Sequence, residues 1–355
     1  MRREDISKGF SKNKKKREHG PAAITLKAVA EYVQLSPGTV SAVLNDSPSS
    51  RHIPETTRKR IVEAAQHLNY KPNFFARYLR NKRTYTIGVM LNDIGSEYGG
   101  LVICGIEDYV RQKDYFFVTG VHRHDQALFE KYERMLMERG VEGMITVDLH
   151  LPHAMRVPTV AIAGHHQLEG ITNIVLDHKR AVHLAMRHLA SLGHREIAVM
   201  KGNPASADSK DRWNAIVEAS KGEGIRIPEE LVVQLSSEST SPELGYPHAK
   251  KMLECGSPFT ALFAFNDISA IGAIRAIREA GLRVPEDISV IGFDDIRSAA
   301  FHYPSLTTIR QPLLEMGKIA AKILLSRIEG EEDYPREVSV EPELIIREST
   351  GKAAR

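Results

Sequence analysis

The chain has 355 residues, 42% of them hydrophobic and 26% charged, with 48 Lys+Arg against 45 Asp+Glu. That composition suffices for more than one packed core and excludes a disordered or fibrous protein. No apolar run approaches the roughly 18–20 residues that cross a bilayer, and the opening MRREDISKGFSKNKKKREHGP lacks the apolar stretch of an export signal, so a cytoplasmic protein without membrane partners is expected. The two cysteines, Cys104 and Cys255, are far apart, which supports neither a disulfide framework nor a zinc site; both read as buried structural thiols.

Charge is unevenly spread. Residues 1–83 carry 18 Lys+Arg against 7 Asp+Glu, and the remainder 30 against 38, the pattern of a basic nucleic-acid-binding segment on a mildly acidic body. Residues 1–23 read as a basic disordered tail, whose run Lys12–Arg17 attracts phosphates without reading sequence. Helical spacing begins at Thr25, which can cap LKAVAEYV, where Leu26, Val29, Ala30 and Val33 share a face. After the turn QL, Ser36 caps a second helix with Pro37 at its first position. A third helix fits PETTRKRIVEAAQHLNY, with Ile61, Ala64, Ala65 and Leu68 on one side; Val40, Val43 and Leu44 of the second helix close the small core. Two short helices joined by a tight turn are the unit that places its second helix in a major groove, although any small three-helix packing gives the same pattern. Pro72 stops the third helix, and Asn73 can cap a short FFARYLRN helix of about two turns, too short to hold alone in water.

From Tyr85 the period changes. TYTIGVML, YFFVTGV, VEGMITVD and VPTVAIAG are short β-rich runs separated by the helical stretches LVICGIEDYVRQK and ALFEKYERMLMERG, the alternation of a parallel α/β sheet. A second series follows, with EIAVMKG, LVVQLS, TALFAFND and ISVIGFDD as strands. Between them lie the helices AVHLAMRHLASLG, one around Arg212–Lys221, and ISAIGAIRAIREAG. Ligands of such sheets lie beyond the carboxyl ends of the strands. Asp294, Asn266 and Arg212 fall there: a carboxylate that accepts two hydrogens, an amide that donates and accepts, and a planar fork of donors. Tyr98 follows the first strand and offers a stacking face. Trp213 would stack on a sugar ring or pack in the core. Helix capping is the competing role for Asp294 and Asn266.

The stretches ITLKAVAEYV, SPGTVSAVLN, IPETTRKRIVEAAQHLNYKPNFFARYLRNKRTYTIGV, GHREIAVMKG, FAFNDISAIGAIRAIREAGLRVPEDISVIGFDD and SLTTIRQPLLEMG resemble the lactose/galactose repressor family of bacterial transcription regulators over about residues 24–349. The resemblance implies an N-terminal all-α helix-turn-helix domain at 24–71, a hinge helix at 72–84, and an α/β two-lobed periplasmic-binding-protein-like core at 85–349. It implies a homodimer on double-stranded operator DNA, most simply a repressor, controlled by a small-molecule effector of the sugar class held between the lobes. Arg212, Asn266 and Asp294 match effector-contacting positions. Thr25, Ser36, Thr39, Ser41, Asn45, Tyr70 and Asn73 fall where the family makes polar contacts, chiefly to phosphates, with capping as the competing role for Ser36 and Asn73. Leu79 would wedge between base pairs in the central minor groove, and Ala76 would let paired hinge helices approach.

The chain departs from the pattern at Pro37, Gly38 and Ala42, where better-known members carry large side chains for base edges. Pro37 and Gly38 offer no side-chain hydrogen bond, and Ala42 only a methyl, suited to thymine. Readout then shifts to Thr39, Ser41, the hinge, DNA shape and the loop holding Arg51 and His52. Gly99–Gly100, His165–His166 and Trp213–Ile216 also depart from the pattern, so the pocket is expected to be remodelled. Neither G-x-G-x-x-G nor a P-loop occurs, the pairs His122/His124 and His165/His166 lack a third ligand, and no nucleophile, base and orienting group stand out as a set. No cofactor, metal or enzymatic activity is expected. A sugar-binding protein of transport or chemosensing shares the core but leaves residues 1–83 without a role.

Overall fold

The protein is described by a computed structural model over residues 24–45, 47–70, 83–164, 168–235 and 241–354. The expectations placed on the basic tail, on Asn73, Ala76 and Leu79, and on His165 and His166 fall outside these residues. The chain divides between Arg83 and Thr84 into two compact units.

The first unit is helical. In α1 (Leu26–Val33) the Thr25 hydroxyl accepts from the Ala28 amide at 3.3 Å, and Gln34, at φ 54°, ends the helix in the left-handed conformation that makes the tight turn. α2 (Pro37–Leu44) starts with Ser36 Oγ accepting from the Thr39 amide at 3.1 Å, and Pro37 sits at its first position, where no amide hydrogen is needed. A 3-10 turn, Pro48–His52, leads to α3 (Glu55–His67). Val29, Val40 and Ile61, one from each helix, are fully buried together, with Ala30, Val33, Ala64 and Ala65 around them. Val43 and Leu44, expected inside, pack only at the edge of that cluster.

The second unit has two lobes. The first lobe holds β1 (Thr86–Leu91), α4 (Glu97–Arg111), β2 (Phe116–Val121), α5 (Gln126–Glu138), β3 (Met144–Val147), β4 (Thr159–Ile162) and β5 (Ile171–Leu176). The chain then passes to the second lobe through α6 (His178–Ser191), β6 (Ile197–Lys201), α7 (Ala207–Gly222), β7 (Val232–Gln234), α8 (Gly245–Glu254), β8 (Ala261–Phe263), α9 (Asp267–Glu279), β9 (Ser289–Asp294), the short α10 (Arg297–Phe301) and β10 (Thr307–Arg310). It returns with α11 (Leu313–Ile328) and β11 (Glu337–Val340), and crosses once more to β12 (Glu343–Ile345). The sheets run β11-β5-β4-β3-β1-β2 and β12-β10-β9-β8-β6-β7; every pair is parallel except β10 with β12.

Strand cores such as Ile87, Val89, Leu91, Val199, Phe263 and Phe293 are apolar and fully buried, because helices cover both faces of a parallel sheet. α11 packs on α4 at a distance only glycine allows: a Cβ at Gly105 would stand 2.0 Å from the Leu314 carbonyl, and one at Gly317 would stand 2.2 Å from that of Val102. The first and third crossings between the lobes lie side by side, with the Asp177 amide donating to the Val340 carbonyl at 3.2 Å.

Two expectations need correcting. Cys104 and Cys255 are exposed rather than buried: Cys104 lies on the outward side of α4, and Cys255 just past the end of α8, where its thiol donates to the Met252 carbonyl at 3.0 Å. The residues after 349 belong to the core: His194 Nε2 lies 3.0 Å from the Gly351 carbonyl, and the Ala353 amide donates to Leu192 at 2.9 Å.

Candidate effector cleft and DNA-facing helix

Parallel strands point their carboxyl ends the same way, so each lobe brings its post-strand residues to one edge. The two edges face each other across a cavity of about 510 Å³. From the first lobe it is lined by Asn92, Asp93, Ser96, Glu97 and Tyr98 after β1, Arg123 and His124 after β2, and Asp148 after β3. From the second lobe come Asn203 and Ser206 after β6, Asp208 and Arg212 on α7, Phe265 and Asn266 after β8, and Asp294 and Gln311. The structure therefore brings together four of the five sequence candidates: Tyr98, Arg212, Asn266 and Asp294.

Arg212 is the buried cation of this site, only 2% exposed. Its guanidinium lies between the rings of Phe265 and Phe293, at 4.3 and 3.7 Å from their centroids. One terminal nitrogen donates to the Phe265 carbonyl at 2.6 Å and the other to Asp208 Oδ2 at 3.2 Å. Asp208 lies one turn earlier on α7, and His178 Nε2 stands 3.1 Å from its other oxygen. Planar stacking and fixed donors hold the fork rigid, which a lysine would not reproduce.

Asp294 ends β9 where the backbone turns sharply, at φ 115°, followed by Asp295 at φ 55°. Its carboxyl accepts from the Gln311 side-chain amide at 2.7 Å, and burial pushes it up to about 7. It caps no helix. Asn266 does cap α9, accepting from the Ser269 amide at 2.9 Å, and still lines the cavity. The Tyr98 hydroxyl is buried without a partner; burial, with Asp208, Asp148 and Asp294 nearby, raises it well above the usual tyrosine range.

Trp213 is corrected: it points away from the cavity, packs against the main hydrophobic core, and carries the Lys201 ammonium 4.6 Å from its ring centroid. Neighbours on a helix point about 100° apart, so Arg212 and Trp213 cannot both face the cleft.

Sequence reasoning missed the residues that join the lobes. Asp148 Oδ1 accepts from the Ser206 hydroxyl at 2.8 Å and the Ala207 amide at 2.9 Å, capping α7 of the opposite lobe. Burial and Asp208 raise its carboxyl to about 7. Glu97 accepts from the Ser298 amide at 3.2 Å and from the Ser298 hydroxyl. The ring of His122 is already committed: Nδ1 accepts from the His124 amide at 3.0 Å, so Nε2 carries the hydrogen and donates to the Val147 carbonyl at 3.1 Å. Burial pushes His122 down to about 4 and lowers His124 as well, which keeps both neutral at pH 7.

In the helical unit, Ser36, Pro37, Gly38 and Asn45 lie on the exposed side of α2, with Thr39 and Ser41 half-buried. Ala42 is corrected: at 8% exposure its methyl is turned inward, and a thymine contact there is not available. Several polar candidates are engaged locally. Ser36 Oγ lies 2.8 Å from Thr39 Oγ1, and Asn45 Nδ2 donates to the Ser41 carbonyl at 2.8 Å. Arg51 and His52 stand exposed at the end of the 3-10 turn, and Tyr70 packs against the helical core.

Residues 25–73 match the model of bacterial regulatory proteins of the lacI family, and residues 186–350 match that of the periplasmic binding protein-like domain. The HTH-type transcriptional repressor PurR of Aliivibrio fischeri (strain MJ11) is 33% identical over 333 residues, 92% of this chain and 98% of the relative. A lac repressor dimer bound to operator and the anti-inducer ONPF superposes with a TM-score of 0.81 at 26% identity, covering 93% of this chain and 99% of that one. A complex of the transcriptional regulator CelR with cellobiose superposes with a TM-score of 0.66 at 26% identity, over 92% and 99% of the two chains.

Proposed function

The chain belongs to the lacI family of bacterial regulatory proteins, a transcription regulator with a DNA-binding unit and an effector-binding core, and from that premise we propose that it acts as a cytoplasmic homodimeric repressor whose cleft binds an effector without turning it over. The observation that carries the reading is the cavity between the lobes, lined from both, with the Arg212 fork stacked between two phenylalanines at its base. A ligand that touches both lobes changes the free energy of closing them, and so couples its binding to lobe geometry. In a two-fold dimer that geometry sets the spacing of the paired segments leading to the DNA.

Direct base reading by α2 is thin in this proposal. Pro37 and Gly38 are exposed without hydrogen-bonding side chains, and Ala42 is inward. Thr39, Ser41 and the Arg51–His52 turn then carry side-chain contacts, and DNA shape supplies much of the remaining preference. Thr25, Ser36, Asn45, Tyr70 and Asn73 hold phosphates, while Leu79 opens the central step and Ala76 lets the paired hinge segments approach.

The test is a screen of metabolites against the full chain on its selected operator, with Arg212→Ala in parallel. The expected result is a compound that shifts operator affinity at least tenfold in the parent and not in the variant. A compound that shifts both equally acts elsewhere and removes the cleft from the mechanism. Arg51→Ala is expected to weaken operator preference; unchanged affinity and preference would take the turn out of the readout.

A further inference from the structure

The cleft gathers three nearly buried carboxyls around one buried cation. Asp148, Asp208 and Asp294 are all nearly buried, with side-chain exposures of 14% and 7% for the first two and 7% residue exposure for the third. The buried cation among them is Arg212, which spends two of its N–H groups on Asp208 and the Phe265 carbonyl and keeps its Nε buried without a partner. Asp148 is held by a hydroxyl, a backbone amide and a neutral histidine 3.5 Å away, and Asp294 by the amide of Gln311. Two buried carboxyls thus have only uncharged groups in direct contact, and buried charge of one sign is costly until a counter-charge arrives.

A second, independent feature points the same way. Gln311, 4% exposed, lines the cavity and donates one amide hydrogen to Asp294, while its Oε1 is buried without a donor. The Asn92 Oδ1 is likewise buried and unpartnered. These acceptors call for a ligand rich in N–H and O–H groups.

Resting on the reading of the cleft as the effector site, we propose that the effector bears a protonated amine on a small polyhydroxylated frame, an amino sugar by class, with the ammonium among Asp148, Asp294 and Gln311. The ammonium supplies hydrogens to the acceptors and charge to the carboxyls, and the ring hydroxyls meet the polar rim and the unpartnered Tyr98 hydroxyl. A cavity of about 510 Å³ is ample for a monosaccharide or a disaccharide. An acidic or phosphorylated sugar would bring further negative charge to three nearly buried carboxyls that share one buried cation.

The test uses the full chain and matched sets at pH 7.5: glucosamine, galactosamine and mannosamine, their parent hexoses, and the corresponding hexuronates, followed by calorimetry. The expected result is at least one amine bound tenfold or more tighter than its parent hexose, with the matching hexuronate weaker still. Asp294→Asn and, separately, Asp148→Asn reduce that amine preference by about tenfold; two variants guard against either failing to fold. Stronger binding of a hexose or hexuronate, lost in Arg212→Ala, overturns the charge inference and leaves the cleft as the effector site. No amine bound, or an amine preference unchanged in both aspartate variants, also overturns it. Sugar binding of any kind that is indifferent to Arg212→Ala overturns the reading of the cleft together with it.

Discussion

The two units that meet their partners are furnished in opposite ways. The exposed side of α2 offers a proline, a glycine and short side chains that largely satisfy one another, while the cleft carries buried carboxyls that burial pushes toward their neutral form and unpaired acceptors that its own fold does not satisfy. A surface that contributes to a long, highly charged partner through many weak contacts can spend its polar groups on its own helix caps. A cavity that must recognise a small molecule keeps groups unsatisfied until the ligand supplies them, at a cost in the empty state.

That contrast can be broken by substitution. The largest effect is expected from Arg212→Met, which leaves Asp208 buried without its paired cation; the core should lose about 3–5 kcal/mol in denaturant unfolding, the range for breaking a buried pair. A loss under about 1 kcal/mol would mean that the cleft is better solvated than its burial suggests. Ile61→Ala removes the fully buried centre of the helical unit and should cost that unit about 2–5 kcal/mol, enough to abolish operator binding while ligand binding by the core persists. Ser36→Ala loses the cap of α2 and should cost about 1 kcal/mol, seen as weaker binding to every duplex without altered preference. Altered preference would instead make Ser36 a base-reading residue.

A fourth outcome concerns pH. Burial raises Asp148 from the ordinary 3.8 to about 7, so between about pH 4 and 7 the folded core keeps a proton that the unfolded chain has already released. From this group stability falls as pH rises through that window and is level above it. Asp148→Asn keeps an acceptor for Ser206 and the Ala207 amide but has no such penalty. Its stability relative to the parent should therefore climb from pH 5 to about 7 and then stay constant; a difference independent of pH would show that Asp148 titrates normally. The smallest effect is expected at Trp213: Trp213→Phe should change effector affinity less than twofold, and a larger change would return that ring to the site.

Most of the periodic elements were legible in the sequence: β1 to β4, β6 to β9, the helices α4, α5, α6, α7 and α9 and all three helices of the first unit follow alternation, helical spacing and cap residues, whereas α8 and α11 were not read as helices. β5 and β10 to β12 were not legible, because ITNIVL and SLTTIRQ mix threonine and asparagine into buried strands; Thr172, Asn173, Thr307 and Thr308 are buried there through hydrogen bonds invisible in a pattern. In the cleft, strand-end position found Asn266 and Asp294, and resemblance supported them with Arg212. Asp148 was also at a strand end, in VEGMITVD, but its role depends on α7 of the other lobe, about sixty residues on, which no local signal connects. Asp208 had a local signal, four residues before Arg212 on one helix face, and Gln311 had none.

The most direct test of the central claim is selection of duplexes from a random DNA pool by the full chain at near-physiological salt. Enrichment of a two-fold symmetric site with a flexible central step is expected, with binding to it that a tenfold excess of unrelated competitor DNA does not erase. Recovery of only unselective duplexes, released in proportion to added salt with every metabolite tested, would contradict the claim.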